Sequence, residues 1–444
     1  MVIDILHKIY GNGVVLKNLY GQRRIPYLPE EKLHELRDAR LKSIVKYAAE
    51  TVPYYQNLFK KEKIDPREIQ SVKDLDHLPF IEKEMVRKDP TQFVSTSQRG
   101  RKAIFFVTSG TTGMPVKVYH DQYSLLANIA FGEREREVMT KFCGRSLEYR
   151  IVMILYSGST TEKVQNLYRQ WTFIPIRPDQ ITFSVLDPFE DIVKRIDHFR
   201  PDVLIGYGSY LETFFKTLFF RSISMHLPKV LIYVAEAMTV EGRTFIEEKF
   251  GIQILSQYNA VEAFKIGFSC EDRKGFHLHE DLCHVKVIDS NGKKMVSGEK
   301  GEVVISNFIN HGTVLLNYRL GDIGSLSEEK CPCGRNLPLL SELEGRVEDI
   351  LFLPDGRFIH PRAIWGVVKK RGEVLRYQLI QHELGRFELR FVTVNKETYS
   401  RIVDEILPDL RSILGDAVTI EFKYCEELKP QEGGKFRPVL SFCK

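Results

Sequence analysis

The chain has 444 residues, which is too long for one hydrophobic core and predicts two or three domains. Its composition is 43% hydrophobic and 28% charged, as in ordinary globular proteins. The 64 basic and 59 acidic residues leave a formal charge of only +5, so nothing in the charge balance favours nucleic acid as a partner.

The N-terminus, "MVIDILHKIYGNGVV", interrupts its apolar residues with Asp4, His7 and Lys8, which argues against a signal peptide. No run of eighteen apolar residues occurs, so no membrane span is expected. The seven cysteines, an odd number without an export signal, are typical of a reducing compartment. We therefore expect a cytoplasmic protein.

The predicted elements begin with a helix at 29–62 that Pro53 divides in two, followed by short helices at 66–98. From "RKAIFFV" onward, short Val/Ile/Tyr-rich runs alternate with helical patterns. The runs are "YRIVMILYSG", "PDVLIGYGSY", "PKVLIYVAEAM" and "GIQILSQYNA". This alternation predicts an α/β fold with a mostly parallel sheet covered by helices.

After residue 284 the pattern changes to strands separated by Asn291-Gly292 and Gly298, which predicts an antiparallel meander. A new unit begins near 345, with a hairpin at Asp355-Gly356 and a helix start at Pro361. Strand, strand, helix and strand follow. The expected domains are therefore 1–344, α/β, and 345–444, a small α+β domain.

The stretch "FFVTSGTTGMPVKVYH", residues 105–120, is a candidate phosphate-binding loop. It is not a P-loop, because only two residues separate Gly110 from Gly113, and the alternation in "PVKVYH" predicts a strand where the P-loop has a helix. The predicted hairpin loop still presents backbone N–H groups and hydroxyls to an oxyanion. These candidate residues are Thr108, Ser109, Gly110, Thr111, Thr112 and Gly113. An ordinary Ser/Thr/Gly surface loop explains the composition equally well.

"TSGTTGMP" resembles the phosphate-binding signature of the adenylate-forming superfamily, the acyl-CoA synthetases and their relatives. Further motifs of that superfamily follow in the same order: "YNAVEA" at 258–263, "YRLGD" at 318–322, "GRVED" at 345–349 and "GGKFR" at 433–437. The pattern is most similar to the phenylacetate–CoA ligase-like branch, including its CapK-like or coenzyme F390 synthetase-like group, through "LKSIVKYAAETVPYYQNLF" and "CPCGRNLPLL". The resemblance covers nearly the whole chain.

The resemblance implies a large N-terminal domain that binds ATP and the acid, and a small mobile C-terminal lid domain that supplies a lysine. Such enzymes use ATP and Mg²⁺ to convert a carboxylic acid into acyl-AMP with release of pyrophosphate. A thiol, most often CoA, or an amine, alcohol or carrier protein then takes the acyl group. Dimers are common in this branch, so a homodimer is one option.

The matching positions imply roles for individual residues. Glu262 would hold Mg²⁺, and Lys435, on a turn formed by Gly433 and Gly434, would bridge the carboxylate and the α-phosphate; with Thr112 these are the candidate catalytic residues. The further nucleotide-binding candidates are Tyr258 near adenine, Asp322 on the ribose hydroxyls, Ala235 and Glu236 in the adenine pocket, Arg346, and Lys117 near the phosphates. By composition alone, Lys435 and Glu262 are ordinary exposed residues, and Asp322 an ordinary turn residue.

Two departures from the family pattern affect these roles. Met114 stands where many relatives have a lysine in the loop, so the cation that helps the pyrophosphate is open, with Lys117 as the candidate. Glu348 replaces the usual hinge aspartate, which weakens the expectation of a domain rotation for thiol transfer.

The branch also has a structural metal site of three cysteines and one histidine. The resemblance implies Cys270, His277, Cys331 and Cys333 as zinc ligands. The sequence leaves His279, Cys283 and His284 open as alternatives.

For the acid itself, Tyr156, Tyr207, Tyr210 and Phe264 would suit a flat aromatic or other small carboxylic acid, although tyrosines at strand ends are also ordinary packing residues. A nucleotide-binding regulatory protein without catalysis is the alternative from another class. The presence of Glu262, Asp322 and Lys435 argues against it.

Overall fold

The structure is a computed structural model of the chain. It describes residues 2–98, 104–108, 116–145, 148–155, 158–173, 179–185, 187–235, 237–346, 351–355, 358–359, 364, 367–368, 371, 373–429 and 436–443. The helices are α1 Val2–Leu19, α2 Glu30–Thr51, α3 Pro53–Glu62, α4 Lys83–Lys88, α5 Gln122–Phe131, α6 Glu133–Cys143, α7 Thr160–Trp171, α8 Phe189–Phe199, α9 Gly208–Phe220, α10 Val240–Phe250 and α11 Lys396–Leu414.

The strands, in chain order, are β1 Ile104–Val107, β2 Lys117–His120, β3 Arg150–Leu155, β4 Asp179–Ser184, β5 Val203–Tyr207, β6 Val230–Val234, β7 Gln253–Tyr258, β8 Gly267–Phe268, β9 Phe276–Leu278, β10 Cys283–Ile288, β11 Gly301–Asn307, β12 Tyr318–Ser327, β13 Leu339–Arg346, β14 Leu351–Phe352, β15 Phe358–Ile359, β16 Val374–Glu383, β17 Arg386–Thr393, β18 Thr419–Tyr424 and β19 Val439–Ser441. Short 3-10 turns occupy much of 66–98, as the sequence predicted.

The chain divides into two compact units that interleave along the sequence. Unit 1 contains Met1–Glu148, Thr160–Pro178 and Leu255–Glu344. Unit 2 contains Tyr149–Ser159, Asp179–Ile254 and Gly345–Lys444. A unit border therefore falls at the predicted domain boundary of 344/345, while the division into domains 1–344 and 345–444 stays a prediction.

Unit 1 is built around an antiparallel meander. Strand β10 pairs with β11 and β11 with β12, both antiparallel, which confirms the meander predicted after residue 284. The sheet continues in the order β12-β13-β9-β8-β7. Helices α2 and α3 bury their apolar stripe against the meander, and the fully buried Leu41, Ile44 and Val45 share a core with Val303 and Ile305. This packing fixes the strands that carry the "YNAVEA" and "YRLGD" motifs.

Unit 2 begins with the parallel part of the fold. Strand β3 pairs in parallel with β4 and β5, and β5 pairs in parallel with β6. The buried faces of α8, α9 and α10 cover these strands, with Ile192, Phe215 and Ile246 in one core. The parallel, helix-covered sheet predicted from alternating runs is therefore confirmed.

The C-terminal part of unit 2 is an α+β layer. Its sheet has the order β18-β17-β16-β19, with β16 antiparallel to β17. Helix α11 packs a stripe of buried residues on it, namely Ile402, Ile406, Leu410 and Leu414, at the spacing of one helical face. β14 and β15 pair antiparallel. Gly356 and Pro361, which were predicted to form their turn and the next helix start, lie outside the described residues.

Helix α1 was not predicted, because "MVIDILHKIYGNGVV" contains Gly11 and Gly13, which weaken a helical pattern. In the part of the chain that the structure describes, no helix has both the length and the apolar character needed to cross a bilayer.

Candidate active site

The candidate phosphate loop is closed at its neck by two hydrogen bonds. Strands β1 and β2 pair antiparallel, which confirms the predicted hairpin. Thr108 N donates to Val116 O at 3.0 Å, and Val116 N donates to the buried Thr108 Oγ1, also at 3.0 Å. Thr108 therefore uses its hydroxyl oxygen to fix the neck. The loop candidates Ser109, Gly110, Thr111, Thr112 and Gly113 lie outside the described residues, as does Met114.

Lys117 lies directly after this neck and is exposed on β2. Its Nζ lies 5.7 Å from the centroid of the Phe105 ring, a distance typical of a cation–π contact. The structure therefore puts one cation next to the loop, at the position that the sequence proposed.

A histidine ties the hairpin to the "YNAVEA" segment. His120, the last residue of β2, places Nε2 2.9 Å from the carbonyl oxygen of Val261. Its ring contacts the Phe264 ring at a centroid distance of 4.3 Å, with the two ring planes tilted by 36°, and Phe264 has a φ of 51°, in the left-handed region. Burial lowers the pKa of His120 to about 4, so the ring is neutral and Nε2–H can donate to Val261 O. The sequence reasoning had assigned no role to His120.

The two candidate carboxylates are each held by a tyrosine of the other motif. Tyr318 OH, from "YRLGD", donates to Glu262 Oε1 at 3.1 Å. Tyr258 OH, from "YNAVEA", donates to Asp322 Oδ2 at 2.8 Å. Glu262 is buried, and its carbonyl oxygen accepts a hydrogen bond from Asn307 Nδ2 at 2.9 Å. These crossed bonds fix the two motifs side by side in unit 1.

The backbone around Asp322 requires a glycine. Gly321 has a φ of +77°, a left-handed conformation that glycine adopts without strain. Lys83 Nζ approaches the same turn and donates to Leu320 O at 3.3 Å. The glycine of "LGD" therefore allows the backbone turn that places Asp322 within hydrogen-bonding distance of Tyr258.

A buried carboxylate on α6 holds both ends of the "YNAVEA" segment. Glu135 Oε2 accepts a hydrogen bond from Gln257 Nε2 at 2.6 Å, and Oε1 accepts one from Lys265 Nζ at 2.5 Å. His279 Nε2 lies 3.3 Å from the same Oε1. Burial would raise the pKa of Glu135, but Lys265 and His279 outweigh it and lower that pKa to about 2. Sequence reasoning missed Glu135, because "EREREV" is the pattern of a solvated helix face.

The remaining candidates around the adenine and acid positions belong to unit 2. Ala235 directly follows β6 and has a φ of 66°, which turns the chain sharply at the end of a parallel strand. Tyr207, at the end of β5, is only 5% exposed and packs with Met153 and Leu155, so it serves chiefly as a packing residue. Burial raises the pKa of Tyr210 to about 12, and its ring stacks on Phe214. Tyr156 and Glu236 lie outside the described residues.

The candidates near the C-terminus are less fully described. Arg346 is the last residue of β13, and the structure gives no account of its side chain. Glu348 and Lys435 lie outside the described residues.

Four side chains in unit 1 converge on one point. The ligand atoms of Cys270, His277, Cys331 and Cys333 all lie within 4.8 Å of one another. Cys270 Sγ is 3.5 Å from Cys331 Sγ, and Cys333 Sγ is 3.3 Å from His277 Nε2. Sulfurs at about 2.3 Å from a tetrahedral zinc lie about 3.8 Å apart, so the donor set and its spacing fit zinc.

The alternatives to this set are engaged elsewhere. His279 contacts Glu135, and His284 Nδ1 lies 2.7 Å from Glu280 Oε1. Cys283 is buried on β10 and belongs to the hydrophobic core. Burial would raise the pKa of Cys333, yet hydrogen bonds from His277 and Arg335 lower it to about 6, so this thiol is readily deprotonated for metal binding.

Known proteins are similar to this chain both over its C-terminal part and over nearly its whole length. Residues 351–441 match the CapK C-terminal domain family. The chain is 27% identical to a phenylacetate-coenzyme A ligase of Thermus thermophilus over 95% of this chain and 99% of that protein. It is 21% identical to protein CapK of Staphylococcus aureus, over 100% of this chain and 97% of that protein.

Solved structures give the same fold. The structure of 2-hydroxyisobutyryl-CoA ligase in the postadenylation state, in complex with 2-HIB-AMP, has a TM-score of 0.75 and 17% identity. The match covers 94% of this chain and 91% of that one. The same ligase with 2-HIB-AMP and CoA in its thioesterification state has a TM-score of 0.62 and covers 95% of this chain and 92% of that one. At this identity the likeness shows the fold.

Proposed function

We propose that the chain converts a carboxylic acid and ATP into acyl-AMP and then an acyl-CoA, because it is similar over nearly its whole length to a phenylacetate-coenzyme A ligase and its residues 351–441 match the CapK C-terminal domain family. In the first step a carboxylate oxygen attacks the α-phosphorus and the bond to pyrophosphate breaks. In the second step the CoA sulfur attacks the acyl carbon, AMP leaves, and the thiol proton goes to solvent.

The crossed tyrosine–carboxylate pairs carry this proposal. Tyr318 fixes Glu262, and Tyr258 fixes Asp322, so two acidic side chains keep defined positions next to each other's motif. A fixed carboxylate such as Glu262 suits Mg²⁺, which prefers hard oxygen ligands. The Asp322 carboxylate can accept hydrogen bonds from the vicinal hydroxyls of a ribose. Together they suit a magnesium–nucleotide complex.

The proposed phosphate contacts come from the loop closed by Thr108 and Val116. Its glycines and hydroxyls, with Thr112 among the catalytic residues, would contact the phosphate oxygens, and Lys117 would add a positive charge. We propose that Lys435 reaches the α-phosphate during adenylation. Arg346 would contact ribose or phosphate, and Glu348 would serve as the hinge.

Zinc is the metal proposed for the Cys270, His277, Cys331 and Cys333 cluster, since three thiolates and one imidazole form a closed tetrahedral set. When bound, the ion would cross-link the segment at 270–277 to the segment at 331–333. Because all four positions are protein ligands, the role is structural. Free thiols suit a reducing compartment, and the cytoplasm is the proposed location.

The proposed acid is a small aromatic or other small carboxylic acid. The argument is the aromatic character of Phe264 in unit 1 and of Tyr210 in unit 2, each of which is partly buried within its own unit. Sites for such acids gain most of their affinity from apolar contact and use few polar groups.

ATP–pyrophosphate exchange tests the proposal. A panel of aryl, fatty and amino acids is assayed with the wild type, with Lys435→Ala and with Glu262→Gln. We expect exchange with one class of acid, and a loss of at least 100-fold in each variant. Exchange that survives in both variants would contradict the assigned roles, and ATP binding without exchange for any acid would favour the regulatory alternative.

The match of residues 351–441 to the CapK C-terminal domain family supports a second candidate, in which the acceptor is an amine, an alcohol or a carrier protein. The replacement of the hinge aspartate by Glu348 points the same way. An assay of AMP release in the presence of ATP, the activated acid and one acceptor at a time distinguishes the two proposals. AMP release that requires CoA favours the CoA ligase of the first proposal. AMP release that occurs with hydroxylamine but not with CoA favours the second.

A further inference from the structure

Residues 307–313, which end strand β11 and lead towards β12, contact both the Glu262 segment and the hairpin of β1 and β2. Asn307, the last residue of β11, donates from Nδ2 to the carbonyl oxygen of Glu262 at 2.9 Å. Its Oδ1 accepts hydrogen bonds from the backbone N–H groups of Ile309 and Asn310, at 2.8 and 3.2 Å. One buried amide therefore fixes the start of the 307–313 loop to the backbone of the proposed Mg²⁺ ligand.

The other end of this loop holds the backbone of Tyr119 in strand β2. The carbonyl oxygen of Tyr119 accepts hydrogen bonds from Thr313 N and from Asn310 Nδ2, both at 2.8 Å. The Tyr119 N–H donates to Thr313 Oγ1, also at 2.8 Å. Gly312 lies so close to the strand that a Cβ on it would stand 2.4 Å from the Tyr119 carbonyl oxygen. The loop therefore binds both backbone polar groups of Tyr119.

The strand held in this way carries one side of the neck of the candidate phosphate loop. Val116, at the neck, stands three positions before Tyr119, which is about 10 Å along an extended strand. Val116 is also buried in the same core as Phe308 of the 307–313 loop. His120 provides a second link to the Glu262 segment, through the carbonyl oxygen of Val261. Because β2 is held at its backbone and in the core, the position of the neck depends on this loop.

We propose that the 307–313 loop positions the phosphate hairpin relative to Glu262 for the binding of MgATP, with Thr313 and Asn310 as positioning residues. The inference rests on the proposed use of ATP, and neither residue is assigned a contact with the nucleotide. Mg²⁺ tolerates little variation in the geometry of its oxygen ligands, which in nucleotide sites come from a carboxylate and the phosphates together. A hairpin that shifts relative to Glu262 should therefore bind MgATP more weakly.

The variants Thr313→Val and Thr313→Ser test this role, because valine keeps the shape of threonine without its hydroxyl and serine keeps the hydroxyl. Isothermal titration calorimetry measures the binding of MgATP and of AMP to the full-length protein. We expect Thr313→Val to weaken MgATP binding at least fivefold, because the Tyr119 N–H loses its acceptor. AMP binding should weaken less than twofold, because AMP has only one of the three phosphates. Thr313→Ser should bind both nucleotides as the wild type does.

Asn310→Ala provides a second route, because it removes the side-chain donor to the Tyr119 carbonyl oxygen and should also weaken MgATP binding at least fivefold. The matched control is Asn336→Ala, which removes an amide donor to the Leu28 carbonyl oxygen at 3.0 Å. It should bind MgATP as the wild type does. The melting temperature of each variant, measured by circular dichroism, shows that the protein titrated is folded.

Unchanged MgATP binding in both Thr313→Val and Asn310→Ala would overturn the positioning role. An equal loss of MgATP and AMP binding would also overturn it, because general destabilisation affects both nucleotides alike. Wild-type protein that binds MgATP but shows no pyrophosphate exchange with any acid would contradict the proposed acid activation alone. Wild-type protein that does not bind MgATP would overturn both proposals.

Discussion

Replacing Glu135 with glutamine should destabilise unit 1 and loosen the "YNAVEA" segment. The pKa of Glu135 falls from 4.5 to about 2, and a pKa difference of 1 corresponds to about 1.4 kcal/mol, so its ionised form stabilises the fold by about 3 kcal/mol. A second route gives the same size: removing one partner of a buried ion pair costs about 3 to 5 kcal/mol, and Lys265 would keep its charge in a site that is 13% exposed. Because the folded pKa is the lower one, this stabilisation is complete above about pH 4.5 and is lost as the pH falls towards 2.

The assay is thermal unfolding at pH 7.5, followed by circular dichroism. For a unit of this size, about 3 kcal/mol lowers the midpoint of the first transition by about 6 °C or more. The control is Glu35→Gln, which removes an exposed pair with Lys32 and should shift the midpoint by less than about 1 °C. Pyrophosphate exchange, measured well below the transition, should fall at least tenfold for Glu135→Gln, because Gln257 and Lys265 then hold Tyr258 and Glu262 less firmly. A midpoint equal to that of the wild type would refute the electrostatic reasoning. Full exchange activity in a destabilised variant would show that Glu135 is structural only.

Three further predictions use other contacts of unit 1. Burial lowers the pKa values of His120 and His279 to about 4, below the 6.5 of the unfolded chain. Because the unfolded chain then binds protons more readily than the folded one, the free energy of unfolding should fall as the pH drops from about 6.5 to about 4. Replacement of one of these rings in His120→Asn should make the melting temperature less dependent on pH over that range. Cys333→Ser, or treatment with a strong chelator, should cause the loss of one equivalent of zinc, measured by elemental analysis, and should lower the melting temperature. The control variant Cys143→Ser should retain the metal. Absence of zinc from the wild type would contradict the site. Tyr258→Phe should raise the KM for ATP several-fold with little change in melting temperature, because it removes one hydrogen bond to Asp322; an unchanged KM would separate Asp322 from the nucleotide.

The sequence predicted most of the fold, because the periods of its apolar residues are distinct. The parallel strands around Val203 and Val230, the helices divided at Pro53 and the meander after 284 all have such patterns, and the structure confirms them. It did not predict α1, because Gly11 and Gly13 disturb the helical pattern of its apolar residues.

The site was predictable only where a residue belongs to a linear motif. Glu262 and Asp322 stand in such motifs, but the residues that hold them are distant in sequence: Tyr318 is 56 positions from Glu262, and Tyr258 is 64 positions from Asp322. Glu135 is 130 positions from Lys265 and lies in a run of charges that has the composition of a solvated helix face. Its burial depends on partners from separate segments, and nothing in the local sequence distinguishes a paired, buried carboxylate from an exposed one. The chemistry proposed for this site is therefore encoded in short motifs, whereas the contacts that hold these motifs in place depend on pairs of residues that only the fold brings together.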